Sequence, residues 1–255
     1  MNRLQELFKT KKKDILSIYY TAGYPNLGDT LKIAEALERS GADFMEIGFP
    51  YSDPVADGEV IQASSKQALD NGMTLEILFD QLKDLRKTIS IPILLMGYVN
   101  VVLQYGVANF CKMCQEVGID GCIIPDLPMY EYEELYQECF VEHGISNIFL
   151  VTPQTSEERI RKIDGLSNAF IYLLSSAATT GKNLDVSENA RTYFARIRDM
   201  KLNNPLMIGF GISDKQTFDS ANEYASGAII GSAFVKNLDL IDLEGSVAKF
   251  MKTFR

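Results

Sequence analysis

The feature that most constrains the fold is a rhythm: short apolar runs rich in β-forming residues recur along the chain, and stretches of helical period separate them. Parallel strands need a crossover long enough to hold a helix, so this rhythm predicts stacked β/α units around a parallel sheet. Eight runs are expected as strands, at 15–20, 44–48, 93–96, 121–124, 148–151, 170–174, 206–209 and 228–230. Between them, Leu75, Leu78, Phe79, Leu82 and Leu85 share one helix face. Thr155 with Glu158, and Ser213 with Gln216, have the spacing of capping boxes that open helices. Gly41 and Gly144 stand where a left-handed residue closes one. His143, the single histidine, falls in such a last helical turn and is assigned no chemistry.

Eight alternating units fit either an open doubly wound sheet or a closed (β/α)8 TIM barrel, and the glycines separate the two. The doubly wound fold opens with a glycine-rich turn after its first strand. Here that turn is Thr21-Ala22-Gly23-Tyr24-Pro25, and the glycine-rich turns follow the last two strands instead. A barrel commonly builds its phosphate site from those two loops. The length of 255 residues also suits one barrel domain over 1–255, with an extra N-terminal helix and long loops after the second and sixth strands.

A formal charge of −9, with no basic block beyond Lys11, Lys12 and Lys13, argues against a nucleic-acid or anionic-membrane partner. No run of about 18 apolar residues occurs, and the amphipathic start (Leu4, Leu7, Phe8) lacks a signal core, so a soluble cytoplasmic protein is expected. Of Cys111, Cys114, Cys122 and Cys139, only the first two lie close together, and a zinc site needs a second pair or several histidines. Buried reduced thiols are the better reading, and no metal is expected.

The chemistry concentrates in the second strand. Alternation along it turns Met45 and Ile47 towards the helices and Glu46 into the barrel interior. A carboxylate there is either half of a buried ion pair or a general acid or base with raised proton affinity. The loop that follows, stiffened by Pro50 and Pro54, brings Asp57 to the same end of the barrel. Alone, Asp57-Gly58 reads as a turn; the pairing with Glu46 makes it a candidate. The clusters around Gly209, Gly211, Gly227 and Gly231 each run into a helical segment, so backbone N–H groups there suit a phosphate. The polar loop 175–183 reads equally as a mobile lid or as a plain connection.

The unbroken stretch 41–58, GADFMEIGFPYSDPVADG, closely resembles the signature of tryptophan synthase α subunits. Further matches follow in that family's order at 21–25, 98–100, 125–128, 172–175, 209–212 and 231–233, so the resemblance spans essentially the whole chain. It implies a lyase that splits indole-3-glycerol phosphate into indole and glyceraldehyde 3-phosphate. By resemblance Glu46 is the catalytic acid and base, and Asp57 faces the indole nitrogen. Tyr19, Met96, Leu150, Tyr172 and Phe210 line the substrate. Gly181, Gly211, Gly231 and Ser232 hold the phosphate, and Thr180 closes a lid towards Asp57. Where many relatives have Gly-Val before the lid's Thr-Gly pair, this chain has Ala178 and Thr179. The resemblance also implies no cofactor in this chain and a β-subunit partner carrying pyridoxal phosphate, in an α2β2 heterotetramer. Docking is expected around Asp53 and around Pro125, Asp126 and Pro128. Two competing expectations remain: another phosphosugar enzyme on the same barrel, or a non-catalytic indole-binding subunit that activates its partner. A Schiff-base aldolase would need a strand-end lysine, and the eight runs contain none.

Overall fold

The computed structural model describes residues 1–174, 188–209 and 211–255. Among the described residues nine strands form one parallel sheet: β1 (Ile15–Thr21), β2 (Phe44–Gly48), β3 (Ile93–Met96), β4 (Gly121–Ile123), β5 (Ser146–Ile148), β6 (Leu150–Val151), β7 (Ile171–Leu174), β8 (Leu206–Gly209) and β9 (Gly227–Ile230). Their order is β5-β4-β3-β2-β1-β9-β8-β7-β6. The two ends of that order are consecutive in the chain, separated by Phe149 alone, so the sheet closes on itself. Counting β5 and β6 as one strand gives the expected eight-stranded barrel.

Phe149 explains why the expected run 148–151 is divided. Ile148 pairs with Ile123 on one side and Leu150 with Tyr172 on the other, so the neighbour changes across a single residue. The Phe149 ring packs edge-on against Tyr132 at 5.3 Å, while its carbonyl accepts the Tyr172 N–H at 3.0 Å. Strand periodicity then sorts the apolar residues into two shells. Tyr19, Phe44, Leu94, Ile148, Tyr172 and Met207 fill the interior. Leu16, Ile18, Met45, Ile47, Ile93 and Leu95 face the helices.

The helix Arg3–Thr10 lies across the N-terminal ends of the strands. Asn2 caps it, accepting from the Gln5 N–H while the Gln5 side chain accepts from the Asn2 N–H. Leu4 and Phe8 are buried, and the Phe8 ring stands 5.4 Å from Phe170 and 6.3 Å from Phe44. Burying each contributes about 1.5–3 kcal/mol. Polar anchors surround this plug: the Asn2 amide donates to the Asp120 and Gly144 carbonyls, and the Gln5 amide donates to the Asn168 carbonyl. Asp120, 1% exposed, bridges Arg86 at 2.7 Å and Arg3 at 3.2 Å.

Both expected helix caps move by one residue, and only the second keeps a capping box. Thr155 spends its side chain inside the turn, accepting the Thr152 N–H at 3.0 Å, and Ser156 caps the helix Glu157–Leu166 instead. Asp214 displaces Ser213 at the helix Lys215–Asn222, taking the Thr217 N–H at 2.9 Å. A carboxylate suits the positive helix end better than a hydroxyl does. Gly41 and Gly144 do adopt positive φ, +89° and +71°. The five apolar residues from Leu75 to Leu85 are all buried, across the helix Leu75–Leu82 and the short helix Leu85–Thr88. Among the described residues, no helix is long and apolar enough to cross a membrane.

Candidate active site

Strand β2 delivers a carboxyl to the interior. Phe44 packs inside and Met45 and Ile47 outside, so Glu46 points inward, with no exposed surface. Ser17, on the inward face of β1, places its hydroxyl 3.4 Å from Glu46 Oε1, and Oε2 is buried without a partner among the described residues. Among the described residues no basic side chain pairs with it, which leaves the ion-pair reading without support there. Burial therefore dominates and pushes the Glu46 proton affinity up to about 8, against an ordinary 4.5, with the Ser17 hydroxyl pulling slightly the other way. Near neutral pH this carboxyl holds its proton.

Asp57 ends the loop after β2, just before the helix Glu59–Asp70. It is 9% exposed. The Tyr98 hydroxyl donates to Asp57 Oδ2 at 2.8 Å and accepts the Ala56 N–H at 3.0 Å. Burial raises the Asp57 pKa, and the Tyr98 hydrogen bond partly opposes the rise. Both carboxyls face the same two phenols. Tyr172 and Tyr19 are held well above the ordinary tyrosine range, first by burial and then by the charges of Glu46 and Asp57.

Two glycines make room for those phenols. A Cβ on Gly48 would lie 2.1 Å from the Tyr19 oxygen, and one on Gly209 would lie 2.0 Å from the Tyr172 oxygen. Met96 and the half-buried Leu150 join the same interior cluster. Of the residues expected to line the substrate, the structure thus brings Tyr19, Met96, Leu150 and Tyr172 together with Glu46 and Asp57. Phe210, Thr180 and Gly181 lie outside the described residues, as do Ala178, Thr179 and the rest of the loop 175–183.

The two glycine clusters differ in how the following helix begins. After β8, Gly211 adopts φ +79°, but Asp214 already occupies the start of the next helix with its own carboxylate. After β9, Gly231 leads directly into the helix Ser232–Asn237. A Cβ on Gly231 would sit 3.4 Å from the Tyr19 ring, and the Ser232 hydroxyl oxygen is buried without a partner among the described residues.

On the surrounding rim, Asp53 is exposed, while Pro125, Asp126 and Pro128 are half-buried. Asp126 accepts the Val99 N–H at 2.9 Å and so ties the segment after β4 to the helix Val99–Tyr105. A groove of about 590 Å³ opens beside Asp53, lined by Tyr51, Glu76, Asn100 and Gln104 among others. Exposed Val55, Leu103 and Tyr130 stand on the loops and helices after β2, β3 and β4. The cysteines are free thiols, three of them buried. Among the described residues no acidic, histidine or cysteine cluster is placed to hold a metal. His143 lies at its helix end, with Nδ1 2.8 Å from the Cys139 carbonyl.

Tyr98 is the site residue that the sequence reasoning did not single out. A signal existed: the alternation that turns Leu94 and Met96 inward, continued two residues further, turns Tyr98 inward too.

A closed parallel β/α barrel with two buried carboxyls, tyrosine walls and a glycine-lined mouth defines a class of enzyme that moves protons within an enclosed organic substrate. The sequence profile of the family described as tryptophan synthase alpha chain matches residues 5–254. The tryptophan synthase alpha chain of Flavobacterium psychrophilum is 57% identical over 251 residues, covering 98% of each chain. That of Christiangramia forsetii is 57% identical over 239 residues, 94% of this chain and 93% of its own. Tryptophan synthase of Mycobacterium tuberculosis superposes with a TM-score of 0.89 at 28% identity, over 99% of this chain and 96% of the other. The tryptophan synthase complex of Pyrococcus furiosus gives 0.87 at 33% identity, over 96% and 98%. The chain belongs to the tryptophan synthase alpha chain family.

Proposed function

We propose that this chain is the lyase its family membership denotes, cleaving indole-3-glycerol phosphate to indole and glyceraldehyde 3-phosphate for tryptophan biosynthesis, with Glu46 and Asp57 as its catalytic residues. The observation that carries the assignment is Glu46 Oε2, a carboxyl oxygen buried in the barrel interior beside Tyr19 and Tyr172, without a partner among the described residues. Protonated at rest, Glu46 donates its proton to C3 of the indole ring, which turns C3 into an electron sink. The resulting carboxylate removes the proton from the hydroxyl on the adjacent side-chain carbon. The bond between that carbon and C3 breaks, the carbon becomes the aldehyde, and the electron pair returns to the ring. One proton has left and one has arrived, so Glu46 ends as it began. Asp57, in its carboxylate form, offsets the positive charge that builds at the ring N–H.

The phosphate is assigned to Gly211, Gly231 and Ser232, with Gly181 from the loop after β7, and its binding orients the reacting end. Tyr19, Met96, Leu150, Tyr172 and Phe210 form the indole walls, and Thr180 belongs to the lid. The reaction needs no cofactor in this chain. Asp53, Pro125, Asp126 and Pro128 face a β subunit that holds pyridoxal phosphate and receives the indole, in an α2β2 assembly of which 1–255 supplies one domain. A cytoplasmic location fits a phosphorylated substrate that does not cross membranes unaided.

Glu46→Gln and Asp57→Asn test the reading. Both variants should fold and retain substrate binding through the phosphate, yet lose about 10²–10⁴-fold in cleavage rate. Turnover is followed as indole released from indole-3-glycerol phosphate. Wild-type rates in Glu46→Gln would remove Glu46 from its role, whereas a wild-type chain that releases no indole, with or without a β subunit, would be a non-catalytic indole-binding activator.

A further inference from the structure

The Ala56 N–H can only donate, so the Tyr98 oxygen accepts from it at 3.0 Å, and the one proton that oxygen carries is left for Asp57 Oδ2 at 2.8 Å. We infer that Tyr98 is a positioning residue for Asp57: its hydroxyl pins the carboxylate to the end of its own loop and selects the ionised form that the cleavage needs. The inference deepens the proposed function and rests on its assignment of Asp57.

The surroundings favour this reading over a packing role. Tyr98 is 4% exposed, and its ring lies 5.2 Å from Tyr51, so the phenol cannot swing away without opening that stack. A phenol that merely filled space would not need its oxygen between an amide donor and a carboxylate. Among the described residues the groups acting with Asp57 are Tyr98 from the segment after β3, Tyr19 from β1 and Tyr172 from β7, the last two also under the charge of Glu46. Asp126 acts on Tyr98 from the segment after β4. Of these, only Tyr98 lowers the Asp57 pKa; burial pushes it the other way. Without the hydroxyl, Asp57 keeps its desolvation and loses its donor.

The test is the pH profile of kcat/KM on the full chain, whose limbs report the free protein's essential acid and base. A hydrogen bond to a charged group is worth enough to move the acidic limb upward by about one pH unit in Tyr98→Phe. The alkaline limb, set by Glu46, should stay in place, and kcat should fall about tenfold with little change in KM. The substrate phosphate titrates identically in both proteins, so the displacement between them is the readout. Replacing Tyr98 by 3-fluorotyrosine keeps the shape and strengthens the donor, and should move the acidic limb downward. A purely structural role shifts neither limb in opposite directions. An acidic limb that stays put in both replacements, with Asp57→Asn inactive, overturns the inference. An active Asp57→Asn overturns the assignment of Asp57 itself and leaves the geometry of Tyr98 without that purpose. In an Asp57→Asn background, Tyr98→Phe should add no further loss in kcat; an undiminished tenfold loss there also counts against it.

Discussion

At Glu46 the barrel holds a carboxyl that prefers its proton, and the same preference that suits it to acid catalysis makes folding pH-dependent. Its affinity in the folded chain, about 8, exceeds the ordinary 4.5. An unfolded chain therefore releases this proton first as pH rises. The contribution to stability is fully present below 4.5 and is lost progressively as pH climbs through about 8. Glu46→Gln replaces the acid with a neutral amide of the same shape. In alkaline solution above about 8 the variant should melt at a higher temperature than the wild type, and below 4.5 the gap should close. Thermal melts across pH measure this, and parallel curves at every pH would show that ionising Glu46 costs the fold nothing. The inward placement of this residue was legible because the alternation of apolar neighbours along its strand leaves Glu46 on the interior face. Tyr98 was harder to see: β3 ends at Met96, so the alternation reaches the tyrosine only when it is carried past the end of the strand.

Among the elements, the strand rhythm read through clearly and the boundaries did not, for reasons that lie in side-chain competition. Thr155 and Ser213 have capping chemistry, but each has a neighbour whose side chain reaches the helix N–H groups better, Ser156 in one case and Asp214 in the other. The break at Phe149 was invisible because all four residues of the run are strand formers; the division comes from which neighbours they pair with. Strand-end glycines carry a further requirement that composition hides. A Cβ on Gly97 would lie 2.0 Å from the Phe49 ring, which packs edge-on against Phe110 at 6.1 Å. Gly97→Ala should cost about 1–3 kcal/mol through overpacking. Gly28→Ala serves as the control, since an added methyl there meets nothing within 4 Å. Urea denaturation midpoints compare the two, and equal midpoints would mean that Phe49 yields without cost.

For the whole molecule, the proposed site and the Asp120 ion-pair network lie at opposite ends of the barrel. Asp120 gathers Arg86, Arg3 and the Ile93 N–H at the N-terminal side, joining the first helix, the helix Leu85–Thr88 and the start of β3. Burial lowers the Arg86 pKa while the Asp120 charge raises it again, so the pair depends on both members. Asp120→Ala leaves a largely desolvated guanidinium without its counter-charge, and should cost about 3–5 kcal/mol of stability. Turnover per folded molecule should persist, because Glu46 and Asp57 are served by other elements. Chemical denaturation and specific activity, measured on the same preparation, check the two halves of that expectation. A variant as stable as the wild type, or one stable but inactive, would dissolve the division.

The helix laid over the strand N-termini, with Phe8 wedged between Phe44 and Phe170, also decides traffic. It makes the barrel a cup instead of a pipe. Whatever enters must leave by the brim, so a molecule seated on the brim needs no contact with the reacting atoms to govern when a product escapes and where it goes next.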